Sequence, residues 1–421
     1  MDQRTDLTAA GDVMDLPLPR PRECPFGPSP DFARLRIEAP VVQVKCPTGM
    51  RAWLVSRYAD VREVLGDAER FSSRTGQVPH MMGHADPQRP VLPGEFTRMD
   101  GAEYQRFRRH LAPEVGTPKR LTELRPRVEA IVDERIDALA AAGGRADFYG
   151  DFTVPVTTAA ISGVVGVPYA DRHLFHAAAG AVFSDVTSEA EMAAAMRPLH
   201  EYLYQLVRAR RADPRDDGVS RIIARSEQGD EPFTEAELVS MCAVTLVAGF
   251  DTTATALAHG MFALLAHREQ YARLRADPAL IPGAVEEIVR CFGGAAGIAR
   301  QVTRDTEIGG TPVRGGDYVV VAIQAADRDP EEFDDPDAID VGRRMNGHLG
   351  FGYGTHQCFG QQTARLELTV VLEKLVQRIP SLRLACEVSE VPFKSHTPVI
   401  GPAAVPVTWD EIAPRAREAH R

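Results

Sequence analysis

Between residues 234 and 275 the chain contains no proline and reads as one continuous helix through Met241, Thr245, Thr252 and Leu264. Thr234 and Glu237 stand at the spacing of a capping box, in which each residue satisfies a first-turn N–H of the other. At 1.5 Å per residue a helix of this length traverses an entire domain. A chain with such an element at its centre is expected to be mainly helical.

The flanking pattern agrees. Asp277 and Pro278 stop the long helix, and a shorter one carrying Glu286 to Arg290 ends at Gly293 and Gly294. Helical patterns extend from Asp60 to about Arg290. Val41 to Lys45 and residues 52–56 read as strands joined by a turn at Pro47, Thr48 and Gly49. Residues 298–323 turn to strand patterning, with turns at Gly309-Gly310 and Gly315-Gly316. Residues 329–337 read as an exposed charged loop, and residues 360–378 as the final helix before short strands. The expected fold class is mainly α with a small β-sheet region (α+β). Residues 1–30 form a proline-rich lead-in expected to be flexible, residues 31–410 a single domain, and residues 411–421 a polar tail.

The net charge of -11 opposes attraction to nucleic acid or to an anionic membrane surface. The lead-in lacks a basic-then-apolar signal pattern, and the most apolar stretch, residues 242–250, falls short of the ~20 residues that cross a bilayer. A cytoplasmic protein is expected. Six cysteines lie scattered without a Cys-x-x-Cys pair, which argues against a zinc ribbon or disulfide framework.

One cysteine has distinctive surroundings. Phe351-Gly352-Tyr353-Gly354-Thr355-His356-Gln357-Cys358-Phe359-Gly360 leads into the last helix. Its glycines permit tight turns and close approach to a flat ligand, and the helix entrance favours a thiolate at Cys358. In the long helix, Ala248-Gly249-Phe250-Asp251-Thr252-Thr253 is a polar interruption. Gly249 costs about 1 kcal/mol relative to alanine there, and a buried Asp251 costs more unless paired. Thr252 can bond the Ala248 carbonyl and leave room above a planar cofactor.

The cysteine segment resembles the haem-binding loop of the cytochrome P-450 family, Phe-x-x-Gly-x-His-x-Cys-x-Gly, with every specified residue present, including Phe351, Gly352 and Gly360. The resemblance covers roughly residues 41–406 and implies a haem-thiolate fold with the long helix over haem b. It implies Cys358 as the axial iron ligand and His356 at a haem propionate. Asp251 and Thr252 resemble the oxygen-activating pair, the acid relaying protons and the threonine holding water and oxygen. Arg108 and Arg300 match propionate arginines, while Tyr104 stands where many bacterial members have histidine. Glu287 and Arg290 resemble a buried Glu-x-x-Arg pair whose implied partner is Arg343, although Ile339 and Val341 replace the more usual Phe and Pro.

The implied activity is monooxygenation of an organic molecule with O2. Electrons are expected from a ferredoxin and an NAD(P)H-dependent reductase, since no flavin or nicotinamide domain follows the haem region. The pocket is expected to be roomy and apolar. Ala295, Ala296 and Ile298 would line it opposite Val247 and Phe250, with His80, Met81, Met82, Val399 and Ile400 completing the wall. The substrate class this suggests is a bulky, largely apolar or aromatic natural product. Two alternatives differ in what they need: a peroxide-driven peroxygenase or a non-catalytic haem-binding sensor would have little use for the Asp251-Thr252 pair.

Overall fold

The long helix forms from Glu235 to Ala266, and both halves of its capping box are made. Thr234 Oγ1 accepts from the Glu237 N–H at 3.2 Å, while the Thr234 N–H donates to Glu237 Oε2 at 2.7 Å. The computed structural model describes residues 13–21, 25–47, 49–74, 91–294, 297–344 and 347–415. The helix stops earlier than its sequence suggests. His267 leaves the helical backbone at ψ 70°, and a separate charged helix, Arg268–Ala276, buries only Tyr271 and Leu274. Contrary to the expectation drawn from residues 242–250, Glu235–Ala266 is long and apolar enough to cross a membrane. However, 72% of its most apolar stretch is buried inside the protein, so this surface is core.

The two halves of the helix serve different cores. Leu238 to Phe250 pack with Phe107, Phe175 and Leu203, whereas Leu257 to Leu265 pack with Val285, Ile288, Val371 and Leu375. Each fully buried Leu or Phe contributes about 1.5–3 kcal/mol relative to exposure. Residues 251–256 belong to neither cluster. The polar interruption therefore coincides with a gap between two packed regions.

A six-stranded sheet flanks the helices in the spatial order Met14–Asp15, Val41–Lys45, Arg51–Val55, Tyr318–Val321, Ile298–Val302 and Phe71–Ser72. Arg51–Val55 pairs parallel to Tyr318–Val321, which in turn pairs antiparallel to Ile298–Val302 with Arg300 opposite Val319. That register fixes where Arg300 emerges.

Three peripheral segments are more ordered than their sequences suggest. Met14 and Asp15 of the lead-in pair with Val44 and Lys45, Leu16 is buried, and the Phe26 ring lies 4.8 Å from Phe262. Within the loop at 329–337, Asp329 is buried and accepts from the Tyr58 N–H at 2.9 Å, and Phe333 is buried edge-on to Tyr58. In the C-terminal tail, the Ala413 N–H donates to the Arg378 carbonyl and Arg415 pairs with Asp137.

Candidate active site

A cavity of about 280 Å³ lies between the long helix and the segment preceding the last helix, Gln361–Arg378. Thr245, Ala248, Gly249, Thr252, Thr253 and Ala256 form its helical wall, the spacing of one face of a 3.6-residue helix. Phe351, Gly352, His356, Cys358 and Gly360 form the opposite wall. Gly249 serves a packing purpose as well, because a Cβ there would stand 2.6 Å from Ile161 Cδ1 on the neighbouring helix Val154–Val165.

The cysteine loop is shaped by glycine where it must be. Gly354 has φ 72°, and a Cβ on it would meet the Leu65 carbonyl oxygen at 2.7 Å. The Cys358 N–H donates to the Phe351 carbonyl at 2.9 Å, closing the loop, and the Cys358 side chain is open to the cavity. Cys46, Cys242 and Cys291 are buried elsewhere, Cys386 is half-buried, and Cys24 lies outside the described residues. Desolvation raises the Cys358 thiol above its usual range, outweighing the Gly360 and Gln361 N–H groups and the charges of Arg108 and Arg365.

One edge of the cavity is cationic. Burial pulls Arg300 down to about 10 against the attraction of Asp100 and Tyr104, and its one hydrogen-bond partner among the described residues is the Ala299 carbonyl at 2.9 Å. His356 Nε2 lies 3.0 Å from Asp100 Oδ1, with its ring 4.1 Å from that of Tyr104. Burial works to raise Asp100, but bonds from His356, Ser72 and the Ser73 N–H prevail and leave its carboxyl below the usual range. Arg108 and Tyr104, expected at the same edge, do not line the cavity. Arg108 Nη1 is occupied by the Tyr104 hydroxyl at 2.9 Å and by the Thr355 and Gln357 carbonyls at 3.2 and 2.9 Å, so it braces the cysteine loop from behind.

A thiol open to the cavity, an under-bonded buried guanidinium and an apolar slot between a helix and a glycine loop fit a flat, iron-bearing dianion such as haem. Thr252 Oγ1 donates to the Ala248 carbonyl at 2.8 Å and lines the cavity, whereas Asp251 does not line it and binds Tyr149 and Lys394.

Residues 174–397 match the family model described as Cytochrome P450. The chain is 41% identical over 389 residues to Cytochrome P450 105C1 of a Streptomyces species, covering 92% of this chain and 97% of that one. The chain belongs to the cytochrome P450 family. It is also 34% identical over 408 residues to the 20-oxo-5-O-mycaminosyltylactone 23-monooxygenase of Streptomyces fradiae, covering 96% of this chain and 95% of that protein. A crystal structure of CYP105P1 in complex with filipin I superposes with a TM-score of 0.88 at 38% identity, covering 95% of this chain and all of that one. This P450 is thus an oxidoreductase of the haem-thiolate class, with Cys358 as the axial ligand.

Away from the cavity, the P450 chain buries Glu287 and Arg290 together on helix Ile281–Phe292. Arg290 Nε and Nη2 donate to Glu287 at 2.8 and 2.9 Å, and Arg343 Nε donates to Glu287 Oε1 at 3.2 Å. The three residues meet despite Ile339 and Val341 in the intervening segment.

The expected substrate wall is only partly assembled in this P450. Ile298 lines the cavity with Gly293 and Gly294. Val247 and Phe250 do not, because they fall on the opposite helical face, where Phe250 stacks on His176 at 4.4 Å. Val399 is buried and neither it nor Ile400 lines the cavity. His80, Met81, Met82, Ala295 and Ala296 lie outside the described residues. Sequence reasoning missed Leu65, Ile161 and Glu367. Glu367 lines the cavity, is 3% exposed, and its Oε2 has no partner among the described residues; burial raises its carboxyl well above the usual range. An acid in an amphipathic helix ordinarily faces water, so no sequence signal marked it.

Proposed function

We propose that this P450 is a monooxygenase that draws on O2 and on electrons from a ferredoxin and its NAD(P)H-dependent reductase. Its substrate is a bulky, largely apolar or aromatic natural product, which it hydroxylates, epoxidises or oxidatively couples. The observation that carries the reading is the Thr252 hydroxyl lining the same cavity as the Cys358 sulfur, with a carboxylate one residue away.

Haem held through Cys358 would supply the oxygen-activating chemistry. The chain's own residues do the rest. Arg300 and His356 bind and orient the haem carboxylates, while Arg108 holds the cysteine loop in register through its carbonyls. Leu65, Ile161, Val289 and Ile298 give the cavity apolar walls that exclude bulk water. Asp251 exchanges protons on the outer side of the long helix, and Thr252 holds the water that receives them in the cavity. Gly293 and Gly294 border the cavity beside Ile298, where a Cβ on either would crowd the Val289 or the Gly350 carbonyl, so glycine here serves close packing. A relative named for 20-oxo-5-O-mycaminosyltylactone and a similar protein, CYP105P1, solved in complex with filipin I support that substrate class.

Thr252→Ala tests the reading. The variant is expected to keep haem and substrate binding but to release more peroxide and form less product per NAD(P)H consumed. An unchanged ratio would mean that Thr252 only satisfies its own helix.

A further inference from the structure

Three hydrogen bonds converge on the outer side of the long helix. Lys394 Nζ donates to Asp251 Oδ1 at 2.7 Å and to Thr255 Oγ1, one turn further on, at 2.8 Å. The Tyr149 hydroxyl donates to the same Asp251 Oδ1 at 2.9 Å, and the Lys394 ammonium stands 4.7 Å from the centroid of the Tyr149 ring. Both side chains of the Asp251–Lys394 pair are only 15% exposed, so water screens them less than it screens a surface pair. No donor among the described residues reaches Asp251 Oδ2.

Lys394 is itself held firmly. Its N–H donates to the Gly401 carbonyl at 2.9 Å, and Phe393 bridges Pro402 in the same hairpin. Two residues on, His396 Nδ1 lies 3.0 Å from Asp185 Oδ1, and the Asp185 N–H donates back to the His396 carbonyl at 3.0 Å. The hairpin is thereby clamped to the loop after helix Arg172–Val182. A free aspartate would hop among staggered rotamers; two donors on one oxygen, the Lys394 ammonium and the Tyr149 hydroxyl, favour one of them.

Resting on the reading of Asp251 and Thr252 as the proton-delivering pair, we propose that Lys394 is a positioning residue for that delivery. With Tyr149 it pins Asp251 Oδ1 and leaves Oδ2 as the oxygen that exchanges protons. A proton passes from bulk water to Oδ2, then from Oδ2 to water on the Thr252 side, regenerating the carboxylate.

The test uses the full-length holoenzyme with its reductase system and compares Lys394→Met, Lys394→Arg, Tyr149→Phe and Asp251→Asn. Product per NAD(P)H consumed is measured alongside the solvent isotope effect on product formation, substrate affinity and the infrared carboxylate band that disappears in Asp251→Asn. Lys394→Met should shift that band and lower product per NAD(P)H by roughly threefold to tenfold, with a changed isotope effect and unchanged substrate affinity. Lys394→Arg should restore coupling, and Tyr149→Phe should fall between. If Lys394→Met keeps wild-type coupling while Asp251→Asn loses it, the lysine assignment fails and the acid's role stands. If Asp251→Asn itself is fully coupled, the proton-pair reading fails and takes the proposal with it. Should Lys394→Met not fold, Tyr149→Phe decides: wild-type coupling together with an unmoved carboxylate band overturns the pinning of Oδ1.

Discussion

Replacing Glu287 with glutamine removes one charge from the buried centre it forms with Arg290 and Arg343 while keeping its shape. Glu287 is 1% exposed and accepts from Arg290 Nε and Nη2, Arg343 Nε and the Asp340 N–H, at 2.8, 2.9, 3.2 and 3.0 Å. An amide offers one oxygen where the carboxylate offered two, and turns its NH2 toward a guanidinium that can only donate. Breaking a buried pair of this kind costs about 3–5 kcal/mol. Arg290 would keep the carbonyls of Asp327, Pro336 and Ala338 at 2.7, 2.8 and 3.2 Å, which places the cost near the lower end, about 3 kcal/mol. With an unfolding entropy of about 2.1 cal/mol/K per residue, a 421-residue chain loses roughly 3 °C of Tm for that cost. Arg273 and Asp340, whose side chains are 45% and 41% exposed, form a surface pair 2.7 Å apart nearby. Arg273→Ala should therefore change stability by less than about 1 kcal/mol. Thermal unfolding followed by circular dichroism compares the two variants. A shift for Glu287→Gln no larger than that for Arg273→Ala would refute the view that burial, and not mere ion pairing, makes this network matter.

Glu367 gives a pH-dependent counterpart. Its folded pKa is raised by burial, so above about 4.3 the unfolded chain releases a proton that the folded chain retains, and stability falls by about 1.4 kcal/mol per pH unit until the folded pKa is reached. Glu367→Gln lacks that proton, so its stability relative to wild type should rise with pH from 5 upward; a flat difference would mean the acid is not held neutral. Ile298→Phe should weaken spin-state responses to large ligands and spare those to small ones, and equal effects on both would remove Ile298 from the wall that sets substrate size.

What the sequence disclosed and what it hid divide along physical lines. The capping box at Thr234 and Glu237, the cysteine loop and the Glu287–Arg290 spacing are local patterns, and local backbone geometry carries them into the structure. Arg300 is named through the family resemblance alone, and its placement at the cavity depends on a strand register that only the structure supplies. The long helix is legible in the sequence, and its cavity face, Thr245, Ala248, Gly249, Thr252 and Ala256, follows the 3.6-residue period, with Val247 and Phe250 falling off it. Lys394 could not have been found. It lies 143 residues from Asp251, and only the hairpin and its clamp to Asp185 bring the two together. Arg108 shows the same limit from the other side, since its position was legible but not its engagement by the Thr355 and Gln357 carbonyls.

The Cys358 sulfur is the haem-iron ligand on the wall of this cavity. The carbon monoxide difference spectrum of the reduced protein tests this ligation most directly, measured for the wild type and for Cys358→Ala. The wild type should show the Soret band of thiolate-ligated haem, and Cys358→Ala should lose it, with Cys46→Ala, Cys242→Ala and Cys386→Ala unchanged. The same thiolate band in Cys358→Ala, or no bound haem in the wild type, would contradict it.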